Sequence, residues 1–273
     1  MSQISATPPS NDRPSIPRTS PLSRAAIAVP DGAVSPAPPQ RALVRIARAL
    51  VPRRQELRTP GDYLRGAQLH LALRRGGFTM LSAPCARALY RLTRLADRQR
   101  IDGDLVDCGV YNGGSTALLS AGAPDRRVWA FDSFEGLPPP GPLDGPLSEG
   151  WEGGCHGTEV KVRHAMSAYG SLERLEVRKG WFEDTFPIAV DEIDQIAVLH
   201  CDGDWHDSVL MTLETFYPKV APGGFVVIDD YGCWEGARRA TDAFRSQRSD
   251  CSPIVTVDRS GGVYWRKTAR ASA

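Results

Sequence analysis

No apolar run in this sequence approaches the ~20 residues needed to cross a bilayer, and the N-terminus lacks the basic-then-apolar order of a secretory signal. Both absences argue against an integral membrane segment or export. The six cysteines, Cys85, Cys108, Cys155, Cys201, Cys233 and Cys251, contain no C-x-x-C pair. A zinc cage or disulfide framework is therefore not expected, and Cys108 and Cys201, set in or beside apolar runs, read as buried thiols of a soluble, cytoplasmic protein. Residues 1–40 have few aliphatic or aromatic anchors among their Pro, Ser and Ala. Such a segment buries too little surface to offset its ordering entropy and is expected to be a disordered tail. Aromatics are also sparse between 41 and 100, so the arginines there offer phosphates a charge but bases little to stack on, which weakens a nucleic-acid reading. No internal repeat is present.

What is present is an ordinary globular composition, 41% hydrophobic and 24% charged over 273 residues. This length suits one large α/β domain with extensions, or two small domains. The net charge of +1 conceals an asymmetry: residues 1–100 hold 17 Lys+Arg against 5 Asp+Glu, a net +12, which leaves −11 for the remainder. Residues 41–101 read as a basic helical extension or lid. Leu43, Ile46, Ala47 and Leu50 recur at helical spacing within 41–58, and two further helices are predicted over 62–73 and 84–97. The short first stripe, without Trp or Phe, favours docking on the acidic domain or a second subunit over a membrane surface. A homo-oligomer, dimer or higher, is the expectation. Gly76-Gly77 between the second and third helices marks a turn that can move.

From residue 102 the pattern becomes strand and helix in alternation, the signature of a mostly parallel, doubly wound α/β sheet. Strands are predicted at 105–108, 128–132, 175–179, 196–201, 224–229, 253–257 and 262–265, and helices at 114–121, 159–169, 206–217 and 235–248. The last two strands lie close together and suggest an antiparallel C-terminal hairpin. Residues 136–157, rich in Gly and Pro, form a loop long enough to be functional, past the end of a strand on the substrate side.

Two acidic clusters stand out. Asp202-Gly203-Asp204 follows the apolar run 196–201, and Asp229-Asp230 follows Phe225-Val226-Val227-Ile228. Four carboxylates then emerge at strand ends, where open α/β sheets bind ligands, and there they need a cation or a proton unless they merely cap turns and helices. The first strand runs into Asp107-Cys108-Gly109-Val110-Tyr111-Asn112-Gly113-Gly114-Ser115. Glycines here let the backbone approach a ligand and open a helix whose N-terminus favours anionic groups. The spacing is not G-x-G-x-x-G, so a dinucleotide oxidoreductase is disfavoured. Asp132, ending the second strand, stands where ribose hydroxyls are held in nucleoside-binding sheets.

The ordered blocks Val106-Asp107-Cys108-Gly109-Val110 with Gly113-Gly114-Ser115, Asp132-Ser133-Phe134-Glu135-Gly136-Leu137-Pro138-Pro139-Pro140, Lys179-Gly180-Trp181-Phe182-Glu183-Asp184-Thr185, Asp202-Gly203-Asp204, and Pro222-Gly223-Gly224 through Asp229-Asp230-Tyr231-Gly232 resemble the macrocin O-methyltransferase (TylF-type) family. The resemblance covers residues from about 78 to the C-terminus. It implies a class I methyltransferase with a Rossmann-like sheet that uses S-adenosylmethionine (SAM) and magnesium to methylate sugar hydroxyls of natural products. In that pattern Gly109, Val110, Tyr111, Gly114 and Ser115 face the amino-acid end of SAM, and Asp132, with Ser133 nearby, holds the ribose. Trp181 and Phe182 flank the adenine or are core aromatics, and Met80 lies on a segment that closes over SAM. The pattern assigns Asp202, Asp229 and Asp230 to the metal. A carboxylate set suits Mg2+, with Mn2+ kept open by the flanking His200 and His206.

Asp204, next to those ligands, then falls into the role of general base toward a hydroxyl. Asp107 stands where a Glu is common and reaches the SAM amino group only through water. His206 replaces a common Tyr and reads as a second base, a substrate contact or the start of a helix. Two other readings stand beside this one: a catechol-type O-methyltransferase, and a methyltransferase-fold protein that only binds a partner. Neither predicts the same acceptor, and residues 136–157 carry no pattern that names one.

Overall fold

A computed structural model describes residues 59–257 and 261–268. The expected tail over 1–40 and the expected helix over 41–58 lie outside these residues.

The described chain begins with two helices, α1 (Pro60–Arg75) and α2 (Ala83–Arg98), and continues into β1 (Asp104–Cys108), α3 (Gly114–Gly122), β2 (Val128–Asp132), α4 (Glu159–Tyr169), β3 (Leu175–Lys179), α5 (Phe182–Glu192), β4 (Ile196–Cys201), α6 (His206–Phe216), β5 (Val220–Ile228), α7 (Glu235–Ser246), β6 (Val255–Thr256) and β7 (Val263–Arg266). The strands form one sheet in the order β3-β2-β1-β4-β5-β7-β6. Strands β1 to β5 pair in parallel, β7 runs antiparallel to β5, and β6 is antiparallel to β7. The chain winds outward from β1 to β3 and then returns to β4 on the other side of β1. This reversal opens a crevice at the carboxyl ends of β1 and β4, the position where such sheets bind ligands.

Alternation along the strands divides the core between the two faces. Leu105 and Val198 face a cluster with Leu73, Leu89, Leu92, Leu118 and Met166, so α1 to α4 cover one side. Val106 and Leu199 face the other with Phe131, Phe186, Phe216 and Tyr217, covered by α5 to α7. Cover on both faces explains why β4 is buried at every position and why its sequence is an unbroken apolar run. Cys108 and Cys201 end their strands fully buried, and burial raises both thiols, Cys201 to about 12.

Three departures from the sequence reading have local causes. Helix α5 was not predicted, because Pro187 inside it removes a donor and reads as a break. Strand β5 starts at Val220 rather than 224; Pro222-Gly223-Gly224 reads as a turn, but the pairing with β4 absorbs it through a register irregularity after Ile196↔Val220. Strand β6 is two residues long where five were expected. Among the described residues no helix is long and apolar enough to cross a membrane.

Candidate active site at the carboxyl ends of the sheet

The glycine-rich turn after β1 is built by constraints that leave little choice of residue. Gly109 has φ +84°, and a Cβ there would run into the Asp202 carbonyl oxygen. Tyr111 also adopts a left-handed φ, +52°, and its backbone N–H is held by Asp132 Oδ2 at 2.8 Å. The other oxygen of Asp132 takes the Phe134 N–H at 2.7 Å. Asp132 thus ties the turn after β1 to the turn after β2. Burial raises its carboxyl above the ordinary range, and the backbone donors of Phe134, Tyr111 and Val110 offset only part of that. Ser133 Oγ accepts the Glu135 N–H at 3.1 Å and closes the same turn.

Asp107 is fully buried. Its Oδ2 accepts the hydroxyls of Ser115 at 2.9 Å and Thr116 at 2.7 Å, and its Oδ1 meets His200 Nδ1 at 2.7 Å. Asp107 and Ser115 are therefore bonded to each other, and Asp107 anchors the first turn of α3. Burial disfavours a charged His200, but the hydrogen bond and charge of Asp107, with Asp229 and Asp230 nearby, outweigh it and raise its pKa.

Asn112 is buried and joins three segments: its Nδ2 donates to Gly77 O at 3.1 Å and its Oδ1 accepts the Thr158 N–H at 3.1 Å. Beside it the Gly114 N–H donates to Phe78 O at 2.9 Å, and a Cβ on Gly114 would collide with Thr79. The segment carrying Met80 is thereby seated against the start of α3, with Met80 itself half-buried. Val110 is buried. Trp181, half-buried, precedes α5, whereas Phe182 stacks on Phe186 with ring centroids 4.5 Å apart and belongs to the core edge.

The acidic clusters converge. Asp202, Asp204 and Asp230 each present an oxygen, and the three lie within 4.8 Å of one another. Asp204 has φ +56°, and its N–H donates to Asp230 Oδ2 at 3.1 Å. Asp229 is buried next to Asp230, and a Cβ on Gly262 would sit 3.6 Å from its Oδ1. Carboxylate oxygens in this arrangement, with the Oδ1 atoms of Asp202 and Asp230 shielded from solvent, fit a hard divalent cation.

The loop over 136–157 packs above this cluster. Trp205 Nε1 donates to Pro138 O at 2.8 Å, and Trp151 and Trp205 both stand edge-to-face on Trp234, at 5.5 and 5.1 Å. Asp144, almost fully buried, accepts the backbone N–H groups of Gly141 and His206. The His206 side chain bonds Asp207 Oδ1 at 2.7 Å. Asn112, Asp144 and Trp234 escaped the sequence reading because each is defined by a partner far along the chain; the only local signal was that a polar or aromatic residue stood beside a functional turn.

Comparison with known proteins follows this geometry. The family model described as macrocin-O-methyltransferase (TylF) matches residues 57–267. Demethyldecarbamoylnovobiocin O-methyltransferase of Streptomyces niveus is 36% identical over 185 residues, 62% of this chain and 67% of that one. A tetracenomycin-C 4'-O-methyltransferase of Streptomyces olivaceus, named for a dimethoxy-rhamnosyl substrate, is 37% identical over 191 residues, 66% and 71% of the two chains. The solved structure of the O-methyltransferase NovP superposes with a TM-score of 0.62 at 33% identity, covering 70% of this chain and 83% of that one. The sheet is that of class I SAM-dependent methyltransferases, and the chain belongs to the macrocin O-methyltransferase (TylF) family.

Proposed function

We propose that this O-methyltransferase moves the methyl group of SAM to a hydroxyl on a sugar of a natural product or glycoconjugate, at a site that holds Mg2+. The observation that carries the reading is the convergence of Asp202, Asp204 and Asp230 beside the glycine turn of β1, at the crevice where the sheet reverses. A sugar acceptor is supported by the rhamnosyl substrate for which the Streptomyces olivaceus relative is named, and a cation by the all-carboxylate donor set.

Gly109 lets the main chain approach the donor, Asp132 accepts from its ribose hydroxyls, and the N-terminus of α3 faces its carboxylate. Trp181, ahead of α5, borders the adenine. Asp202 and Asp230, with Asp229 as the family pattern has it, would hold the cation, which when bound supplies the Lewis acidity that lowers the pKa of a coordinated hydroxyl. Asp204 accepts the hydroxyl proton as the oxygen attacks the methyl carbon in line; the carbon–sulfur bond breaks with its electrons left on sulfur. Charge on the donor is neutralised in this step, so the roof formed by residues 136–157 assists by excluding water.

Isothermal titration of SAM into the protein with MgCl2 present tests the reading, and a folded protein that binds no SAM overturns it. Methyl transfer from labelled SAM to demethyldecarbamoylnovobiocin, to the rhamnosyl-tetracenomycin substrate of the Streptomyces olivaceus relative and to catechol then separates the acceptor classes. Transfer to catechol alone overturns the sugar assignment.

A further inference from the structure

Trp234 has no part in the reaction as described, yet it holds a group that does. Its Nε1 donates to Asp204 Oδ1 at 2.7 Å, and its ring carries Trp205 on one side and Trp151 on another. Asp204 is the constrained member of the acidic site: its backbone is left-handed, its N–H is bound to Asp230, and it is nearly buried. With the main chain fixed in this way, what remains to be set is the rotation of the carboxylate, and the indole N–H is bonded to it. Trp234 follows Asp229 and Asp230 by a tight turn in which the Cys233 and Trp234 N–H groups both reach Asp230 O. Trp151 belongs to the loop over 136–157. One indole thus joins the loop that roofs the site, the turn that carries two of its acids, and the carboxylate opposite.

We infer that Trp234 is a positioning residue: its N–H sets the rotation of the Asp204 carboxylate, and Trp151 transmits the seating of the 136–157 loop to it. This rests on the reading of Asp204 as a member of the cation and proton-transfer site. An acceptor that settles the loop then also settles the carboxylate. If the indole bond served packing alone, its loss would lower stability and leave cation affinity unchanged.

The test is calorimetric titration of MnCl2 into the full-length chain, its Trp234→Phe and Asp204→Asn variants and the double variant, with thermal midpoints measured alongside. Trp234→Phe keeps a ring and loses the N–H; it is expected to weaken Mn2+ binding about tenfold, as loss of a group that orients a ligand does, while SAM affinity is unchanged. The double variant is expected to bind Mn2+ no more weakly than Asp204→Asn alone. In isotope-labelled protein, the indole N–H resonance absent from Trp234→Phe should move in Asp204→Asn, in Trp151→Leu and on addition of MgCl2 to the wild type. Unchanged Mn2+ affinity in Trp234→Phe, with Asp204→Asn weakened, overturns the positioning role and leaves the site reading intact. Unchanged affinity in Asp204→Asn shows that Asp204 does not touch the cation; it overturns the inference and leaves Asp202, Asp229 and Asp230 as the proposed ligands. Should Trp234→Phe not fold, the wild-type chain decides: the indole resonance that moves in Asp204→Asn must also move with MgCl2, and its indifference overturns the inference.

Discussion

Asp144 Oδ1 accepts the backbone N–H of His206 at 2.6 Å across 62 positions of chain. His206 is the first residue of α6, and Trp205 before it supplies no side-chain cap, so a residue of the 136–157 loop does the work of an N-cap from a distance. The bond also fastens the loop to the element that follows the first acidic cluster. Asp144→Ala leaves two amides, those of His206 and Gly141, without their carboxylate and should cost about 2 kcal/mol, a fall in thermal midpoint of about 4–8 °C. Limited proteolysis should then cut within 136–157 before any other described segment. Gly236→Ala should act in the same direction, since its Cβ would run into Asp144 Oδ1. A variant that keeps its midpoint and its resistance to protease would show that the loop is held elsewhere.

Gly109 makes a sharper demand. Its φ of +84° is a conformation that a side chain disfavours by about 1–2 kcal/mol, and the space for a Cβ is taken by the Asp202 carbonyl. Gly109→Ala must move either the turn of β1 or the end of β4, so stability and SAM affinity should fall together. Urea unfolding and SAM titration on the same preparation check this. Full affinity in a stable Gly109→Ala protein would mean that the close approach is not used for binding.

These residues show where sequence legibility ends. The apolar runs of β2 and β4 announce strands whose ends match the structure, because burial on both faces leaves only one composition possible; the edge strand β3 is legible instead from the alternation of Leu175 and Val177 with charged residues. Gly109 and the four aspartates were legible because each stands at the end of such a run. Asp144, Asn112 and Trp234 were not, since their partners lie 62, 46 and 30 residues away and nothing local distinguishes them from loop residues. Helix α5 was lost to Pro187, whose missing donor outweighs the apolar face of its neighbours in any local reading. The pairing of Asp204 with Asp202 and Asp230 is likewise a product of the β4–β5 register, with Cys201 opposite Ile228.

Asp132 predicts a pH dependence. Accepting from ribose hydroxyls requires its ionised form, and burial raises its carboxyl above the ordinary range. SAM affinity should therefore be full at neutral pH and decline as the pH falls through that raised value, earlier than an exposed aspartate would cause. The sign for stability is opposite: a carboxyl raised in the folded state stabilises below its unfolded pKa, and that contribution is lost as the pH rises through the folded one. Acidification should thus weaken SAM binding while the protonation of Asp132 itself favours the fold. Asp132→Asn should bind SAM weakly at all pH values and lose this dependence; a wild-type profile that stays flat into the ordinary carboxylate range would refute the assignment.

Removal of divalent cations separates the two halves of the site. The residues proposed for SAM stand on β1, β2 and their turns and, for Trp181, after β3, whereas Asp202, Asp229 and Asp230 follow β4 and β5. Protein treated with EDTA should therefore stay folded and still bind SAM, but transfer no methyl group. Mg2+ or Mn2+ should restore transfer and Zn2+ should not, because oxygen donors alone favour the harder ions. Asp229→Asn should behave like the chelated protein even with MgCl2 in excess, losing turnover and keeping SAM affinity. The outcome matters because the oxygens that converge within 4.8 Å are those of Asp202, Asp204 and Asp230. Equal loss of turnover and of SAM binding in Asp229→Asn would mark it as a structural acid and leave the cation to the other three.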